Sequence, residues 1–161
     1  MQMIIRDACK NDLPAIVQLL ADDPLGQTRE NITQEVHANY LCAFSQIEGD
    51  DNARILVAIE NEKILGCLQL NMLANLTFCG MKRGLIEGVR VHKSCRGKGM
   101  GKALISEAVE ICKTHGCGMV QLTTNVARPE AVQFYQQCGF KPSHIGLKLM
   151  LETPNNIETI K

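Results

Sequence analysis

The chain has no tryptophan, and two tyrosines and four phenylalanines make aromatics only 4% of its 161 residues. Its core must therefore be aliphatic, and each aromatic is a position to account for singly. Neither sign of charge is in excess: 17 Lys and Arg face 17 Asp and Glu. Nucleic-acid binders carry a basic surplus, so no nucleic-acid partner is expected. No apolar run approaches the roughly 18 residues of a membrane span. The short apolar start meets Arg6 and Asp7, which is unlike a secretory leader. A cytoplasmic protein without a membrane partner is the expectation.

Cys-x-x-Cys pairs are also missing, although eight cysteines stand at 9, 42, 67, 79, 95, 112, 117 and 138. That spacing matches neither a zinc site nor a disulfide framework. Most of these positions fall in apolar patterns and read as reduced thiols packed as small hydrophobes. His37, His92, His115 and His144 form no set with metal-ligand spacing, so no metal is expected. Repeats and low-complexity segments are absent. A chain of 161 residues suffices for one domain with a sizeable core. Residues 1–154 are expected to form that domain, with 155–161 a polar tail.

What is there is a concentration of glycine. Gly97, Gly99 and Gly101 alternate with other residues in Arg96-Gly97-Lys98-Gly99-Met100-Gly101-Lys102. Glycine loses the most freedom on folding, so the cluster marks a backbone that something approaches closely. Before it, Ile86, Val89 and Val91 read as a strand, with polar Arg90 between them. After it, Leu104, Ile105, Ala108, Ile111 and Cys112 recur at helical spacing. A glycine loop between strand and helix turns backbone N–H groups towards one point at the positive end of the helix, which is an anion site. Arg96, Lys98 and Lys102 add charge, so a phosphate or pyrophosphate fits best. The Walker pattern fails because Ala103 follows Gly101-Lys102 where a hydroxyl is required. The dinucleotide fingerprint fails on spacing and on its late place in the chain.

Taken in order, Met3 to Asp7 reads as a strand. Asn11 or Asp12 caps a helix with Pro14 in its first turn, which Asp22 to Gly26 ends. A second helix is expected over Ile32 to Phe44, with Val36, Tyr40, Leu41 and Phe44 inward. Ala53 to Ile59 and Ile64 to Leu73 form a hairpin about Asn61-Glu62. A loop or a further hairpin end over Asn75 to Arg83 leads to the central strand, the glycine loop and a helix ending near His115-Gly116. Met119 to Thr123 is a strand parallel to the central one, given a right-handed crossover. Pro129 opens a last helix with Ala131, Phe134, Tyr135 and Cys138 as its stripe. Ile145 to Leu151 alternates as a final strand. The fold class is thus α/β, a mixed sheet with helices on both faces.

The pattern Arg-x-x-Gly-x-Gly at Arg96, Gly99 and Gly101, with Asn125, Phe134-Tyr135 and Gly139-Phe140 downstream, resembles the GCN5-related N-acetyltransferases over nearly the whole chain. The resemblance implies a GNAT fold whose central sheet is splayed between two parallel strands, with acetyl-CoA as co-substrate. Main-chain amides from Gly97 to Gly101, Met100 included, would then grip the pyrophosphate, and Val89, Arg90 and Val91 would pair with pantetheine. An N–H near Val91 would hold the thioester oxygen. The region over the second helix would cover the acceptor.

The resemblance also implies roles for single residues. Glu87 is the candidate base, directly or through water, with a pKa raised by half-burial in a cleft; binding the substrate cation is its other reading. Tyr135 is the candidate acid, since a phenol of pKa about 10 can protonate a thiolate whose acid has pKa about 8.5. Asn125 either bonds pantetheine or serves as a turn residue. The implied activity is acetyl transfer to a primary amine of a small molecule or peptide, in a ternary complex. The alternative is a non-catalytic acyl-CoA-binding sensor or regulatory module. A homodimer is possible.

Overall fold

Alternating apolar residues build an antiparallel meander of β1 (Ile4–Asp7), β2 (Ala53–Glu60) and β3 (Lys63–Leu73) in the computed structural model, which describes residues 3–33 and 35–151. The expected polar tail lies outside the described residues. Asn61 and Glu62 both have positive φ, 52° and 63°, as a two-residue hairpin turn requires if it is to match the twist of its strands. β4 (Arg83–Val91) pairs antiparallel with β3, and β5 (Met119–Leu122) pairs parallel with β4. The five strands lie in sequence order across the sheet.

Period two sorts the strand residues to two faces. Leu56 and Ala58 of β2, Leu68, Leu70 and Met72 of β3, and Ile86 of β4 pack against Leu104, Ile105, Ala108 and Cys112. Those four lie on one stripe of a helix at Met100–Thr114. The opposite face carries Val57 and Cys67, covered by Ile16 and Leu19 of α1 (Leu13–Ala21). α2 (Ala38–Glu48) also packs against β2. The Met100–Thr114 helix is α3, and α4 spans Pro129–Gln137. α3 approaches the sheet closely because β4 offers it a glycine: a Cβ on Gly84 would lie 2.3 Å from Cys112 Sγ. Burial pushes the thiols of Cys67 and Cys112 up to about 12, so both stay neutral and act as apolar filler.

Three expectations need correction. The second helix begins at Ala38, not Ile32, because His37 Nδ1 accepts the Asn39 amide and starts the helix there. The Asn31 amide goes instead to the Tyr40 hydroxyl at 3.1 Å, and that hydroxyl donates to Glu30 at 2.6 Å. Cys9, Cys42 and Cys79 are exposed and fill no core. The expected final strand does not form: residues 141–151 adopt no regular secondary structure and join no ladder, and Leu147 is 91% exposed. Alternation alone specifies an apolar face, not the surface that covers it.

Candidate active site

The pattern Ile86, Val89, Val91 contains a spacing of three that a regular strand cannot keep on one face. The sheet resolves this with a bulge. Gln69 pairs with Glu87 and Cys67 with Arg90, so Gly88 and Val89 together stand opposite Leu68. Gly88 takes φ of +61°, the left-handed conformation that glycine supplies in such bulges. Ile86, Val89 and Val91 thereby all join the core on the α3 side. Glu87 and Arg90, which pair with Gln69 and Cys67, face the α1 side.

The bulge also marks where the sheet opens. β4 pairs with β5 only from Arg83–Met119 to Ile86–Leu122, so Glu87 to Val91 have no partner on that side. His92 donates its N–H across to Leu65 at 2.7 Å. Successive N–H groups alternate sides of a strand, so those of Val91 and Val89 point into the gap. This is the splay that the resemblance implied.

The glycine loop sits at the top of the gap. Gly97 and Gly99 have φ of +74° and +88°, and a Cβ on either would meet nothing within 4 Å. They border open space, as a cradle for a ligand must. The first intrahelical bond of α3 runs from the Ala103 amide to Gly99 at 3.0 Å. The amides of Gly99, Met100, Gly101 and Lys102 are therefore left unpaired at the positive end of a 15-residue helix. Lys98 and Lys102 are exposed beside them.

The loop members differ in what they contribute. The Lys98 amide faces Cys95 O at 3.4 Å in a turn, so the unpaired run starts at Gly99. Met100 is buried and offers only its amide. Gly101 is needed for packing: a Cβ there would stand 3.1 Å from Phe134 and 3.5 Å from Val91. Arg96 donates to Val91 O at 3.0 Å and to Asp22 O at 3.1 Å. Its guanidinium braces the loop against the end of α1, in place of hanging freely over an anion.

Beneath the loop lies a half-buried charge cluster that sequence reading missed. Asp23 pairs with both Arg90, at 3.4 Å, and Arg128. Burial pushes its carboxyl up, but the Gly26 amide and the two guanidiniums outweigh that and hold it below the usual carboxylate range. The single carboxylate ties together the end of α1, the splayed part of β4 and the entry to α4. In the sequence Asp22 and Asp23 read only as part of a helix break, because nothing local announces partners 67 and 105 positions away.

Tyr135 lies on α4, edge-on to Phe134 at 5.1 Å and to Phe140 at 6.1 Å. Burial pushes its phenol up, and the charge of Arg90 pulls it back in part. Asn125 Oδ1 accepts the Ala127 amide at 2.9 Å, so the turn engages one end of its side chain and leaves the amide NH₂. Glu87 is exposed, so its expected half-burial is not met; the bulge turns it into the open side of the sheet. Cys95, next to the loop, is buried in the core. Among the described residues no group of His, Cys, Asp and Glu could hold a metal, and no helix is long and apolar enough to cross a membrane.

A splayed parallel pair, a glycine loop at a helix start and a half-buried tyrosine on the next helix form one arrangement. Comparison with known families matches residues 13–140 to the acetyltransferase (GNAT) family. The chain belongs to the GNAT family. A crystal structure described as a transcriptional regulator from Bacillus halodurans C-125 superposes with a TM-score of 0.91 at 43% identity, covering 93% of this chain and all of that one. Aminoalkylphosphonate N-acetyltransferase of Salmonella typhimurium is 30% identical over 59% of this chain and 61% of its own length. Glucosamine 6-phosphate N-acetyltransferase of Trypanosoma brucei brucei is 35% identical over 55% of this chain and 58% of its own. The chain thus spans about three-fifths of the length of these two relatives. Proteins of the GNAT family use acetyl-CoA as the acetyl donor.

Proposed function

We propose that this chain transfers an acetyl group from acetyl-CoA to a primary amine by direct attack in a ternary complex. One observation carries the reading: the unpaired N–H groups of Val89 and Val91 face the same gap that the unpaired amides of Gly99 to Lys102 close at the top. The two sets suit the two ends of an acyl-CoA. Main-chain donors suit the amide-bearing arm, and a helix N-terminus suits the diphosphate. Holding both reactants in line supplies several kcal/mol of the barrier.

Each remaining step has a residue. The Val91 N–H holds the thioester oxygen as negative charge develops on it. Glu87, on the open side of β4, takes a proton from the incoming ammonium, directly or through water. Tyr135 returns a proton to the departing thiolate; its burial keeps the phenol protonated, and Arg90 steadies the phenolate that results. The free amide NH₂ of Asn125 serves the pantetheine. Arg90 and Arg96 act through position, fixing the splay and the loop.

The acceptor side favours a small amine that bears an anion. Arg83 and Leu85 precede Glu87 on the same face of β4 by period two. Arg83 donates to Gln121 Oε1 at 3.2 Å and to Thr77 Oγ1 at 3.4 Å; among the described residues it has no carboxylate partner. A carboxylate for the ammonium and a guanidinium for the far end suit a phosphorylated or phosphonate amine. That is the substrate class named for both curated relatives.

The test is a coupled thiol-release assay with acetyl-CoA and matched amines with and without the phosphate: glucosamine 6-phosphate against glucosamine, and an aminoalkylphosphonate against the plain alkylamine. Turnover with the anionic member of a pair is expected. Arg83→Gln should raise the KM for that member about tenfold and leave the plain amine unchanged. Acetyl-CoA binding without turnover on any amine would favour the sensor reading, and equal use of both members would remove the role of Arg83.

A further inference from the structure

The far end of α3 carries a pair of side chains that the acyl-CoA gap does not use. Gly116 has φ of +74°. Its amide donates to Lys113 O at 3.0 Å, and the Cys117 amide donates to Cys112 O at 2.9 Å. These two bonds close a helix on a left-handed glycine, and they bring the residues at their outer ends side by side, where an apolar contact is usual. Here both of those residues are cysteines.

The pair is held from two sides. Cys112 is 1% exposed, and its sulfur fills the space over Gly84 of β4. Cys117 is half-buried and packs against the same core cluster. The next amide, of Gly118, donates to Lys82 O at 2.9 Å, so the turn is pinned to the start of β4 as well as to α3. The thiols are near enough that Cys117 adds to the upward push that burial gives Cys112. A disulfide needs Cα atoms roughly 4.4–6.8 Å apart, a separation that a direct main-chain hydrogen bond between two residues provides. Closing one here needs side-chain rotation and no long-range movement of the chain.

We propose that Cys112 and Cys117 form a reversible disulfide when the protein meets a peroxide. Cys117 reacts first, because the Cys112 thiol is shielded and stays protonated. The Cys117 sulfur attacks one peroxide oxygen and the O–O bond breaks. The thiol proton leaves with the departing hydroxide as water, and Cys117 is then a sulfenic acid. The Cys112 sulfur attacks that sulfur, the S–S bond forms as the S–O bond breaks, and a second water carries off the Cys112 proton. Two thiols have given up two electrons, and one peroxide has become two waters. The link fastens the end of α3 opposite the glycine loop to the entry of β5. It stiffens that turn without touching the acyl-CoA gap.

The test needs neither an amine nor acetyl-CoA, so it stands apart from the proposed activity. Full-length protein is treated with a few equivalents of hydrogen peroxide, blocked with an alkylating agent and digested with trypsin. Lys113 lies between the two cysteines, so the link is expected as two joined peptides that dithiothreitol separates, with fragmentation placing it at Cys117 and not at Cys138. It should form at least tenfold faster in the folded protein than in urea, where nothing but chain length keeps the thiols near each other. Cys112→Ala should leave a Cys117 sulfenic acid that dimedone traps, and Cys117→Ser should leave Cys112 reduced. In the oxidised protein the amides of His115 to Gly118 should exchange at least tenfold more slowly. A native chain whose Cys117 goes on to sulfinic acid while Cys112 stays free overturns the inference. So does a link to Cys138 instead, one that forms as fast in urea, or unchanged exchange at the turn.

Discussion

Around residues 88–102 the apolar side chains are satisfied and polar main chain is left without partners; along residues 144–151 it is the apolar side chains that lack them. Val89, Val91 and Met100 are tucked into the core while the amides beside them face open space. Ile145, Leu147 and Leu149 stand in solvent. The two shortages point to different occupants. Unpaired amides at a helix start ask for an anionic, hydrogen-bonding ligand, whereas unburied aliphatics ask for another protein surface. A chain can keep both because the glycine loop is held by its own contacts, such as those of Arg96 to Val91 and Asp22, and does not need residues 144–151 to shape it.

That contrast can be tested at several points. The largest effect is expected at Asp23, which holds the splay open. Asp23→Asn removes a carboxylate that is only 13% exposed from between two guanidiniums. It should cost about 2–3 kcal/mol, read as a fall in melting temperature of roughly 5–10 °C for a chain of this size. The pH dependence has a definite sign. Asp23 titrates lower in the folded chain than in the unfolded one, so its contribution is present above the unfolded carboxylate pKa of about 3.9 and is lost as pH falls through the folded value. Asp12 acts the same way, held low first by its hydrogen bond to Arg6 and opposed by burial. Acid unfolding below about pH 4 should therefore flatten in the Asp23→Asn protein relative to the native one; parallel curves would remove Asp23 as the clamp.

Next in size is Tyr135→Phe, which should cut turnover well beyond tenfold and leave the acetyl-CoA KM unchanged; an unchanged rate would end its role as the acid. A step smaller is Gly99→Ala. The position takes φ of +88° and a Cβ meets no atom, so the cost is backbone strain of about 1–2 kcal/mol. Calorimetry should show acetyl-CoA binding about tenfold weaker, on the scale of about 1.4 kcal/mol per tenfold. The smallest effect sharpens the contrast most. Leu147→Asp with Leu149→Asp should change the acetyl-CoA affinity by less than about twofold, because both side chains stand in solvent away from the amides of the loop. A large loss would mean that residues 144–151 do help to shape the cradle.

Much of the site was legible because it is written locally. The glycines, the strand before them and the stripe after them lie within 30 residues, and a spacing of three inside a strand pattern, with Gly88 between, is itself the mark of a bulge. The bulge went unread because Glu87 and Arg90 were placed by simple alternation. Loop residues were legible as a group but not singly: Met100 serves the core, Gly101 serves packing, and Arg96 braces the loop. The start of the second helix was misread because its apolar spacing at Val36, Tyr40, Leu41 and Phe44 continues outside the helix, and the stop comes from the contact between the Asn31 amide and the Tyr40 hydroxyl.

The sequence alone determined where strands and helices run and that a helix start would present bare amides, because period and glycine conformation act over a few residues. Only the tertiary structure decided which charges meet. Asp23 finds Arg128 at a separation of 105 residues, and no local rule encodes that. It also decided that the last apolar segment would find no seat within its own chain, since a strand pattern fixes the face to be buried and leaves the partner to the packing of everything else.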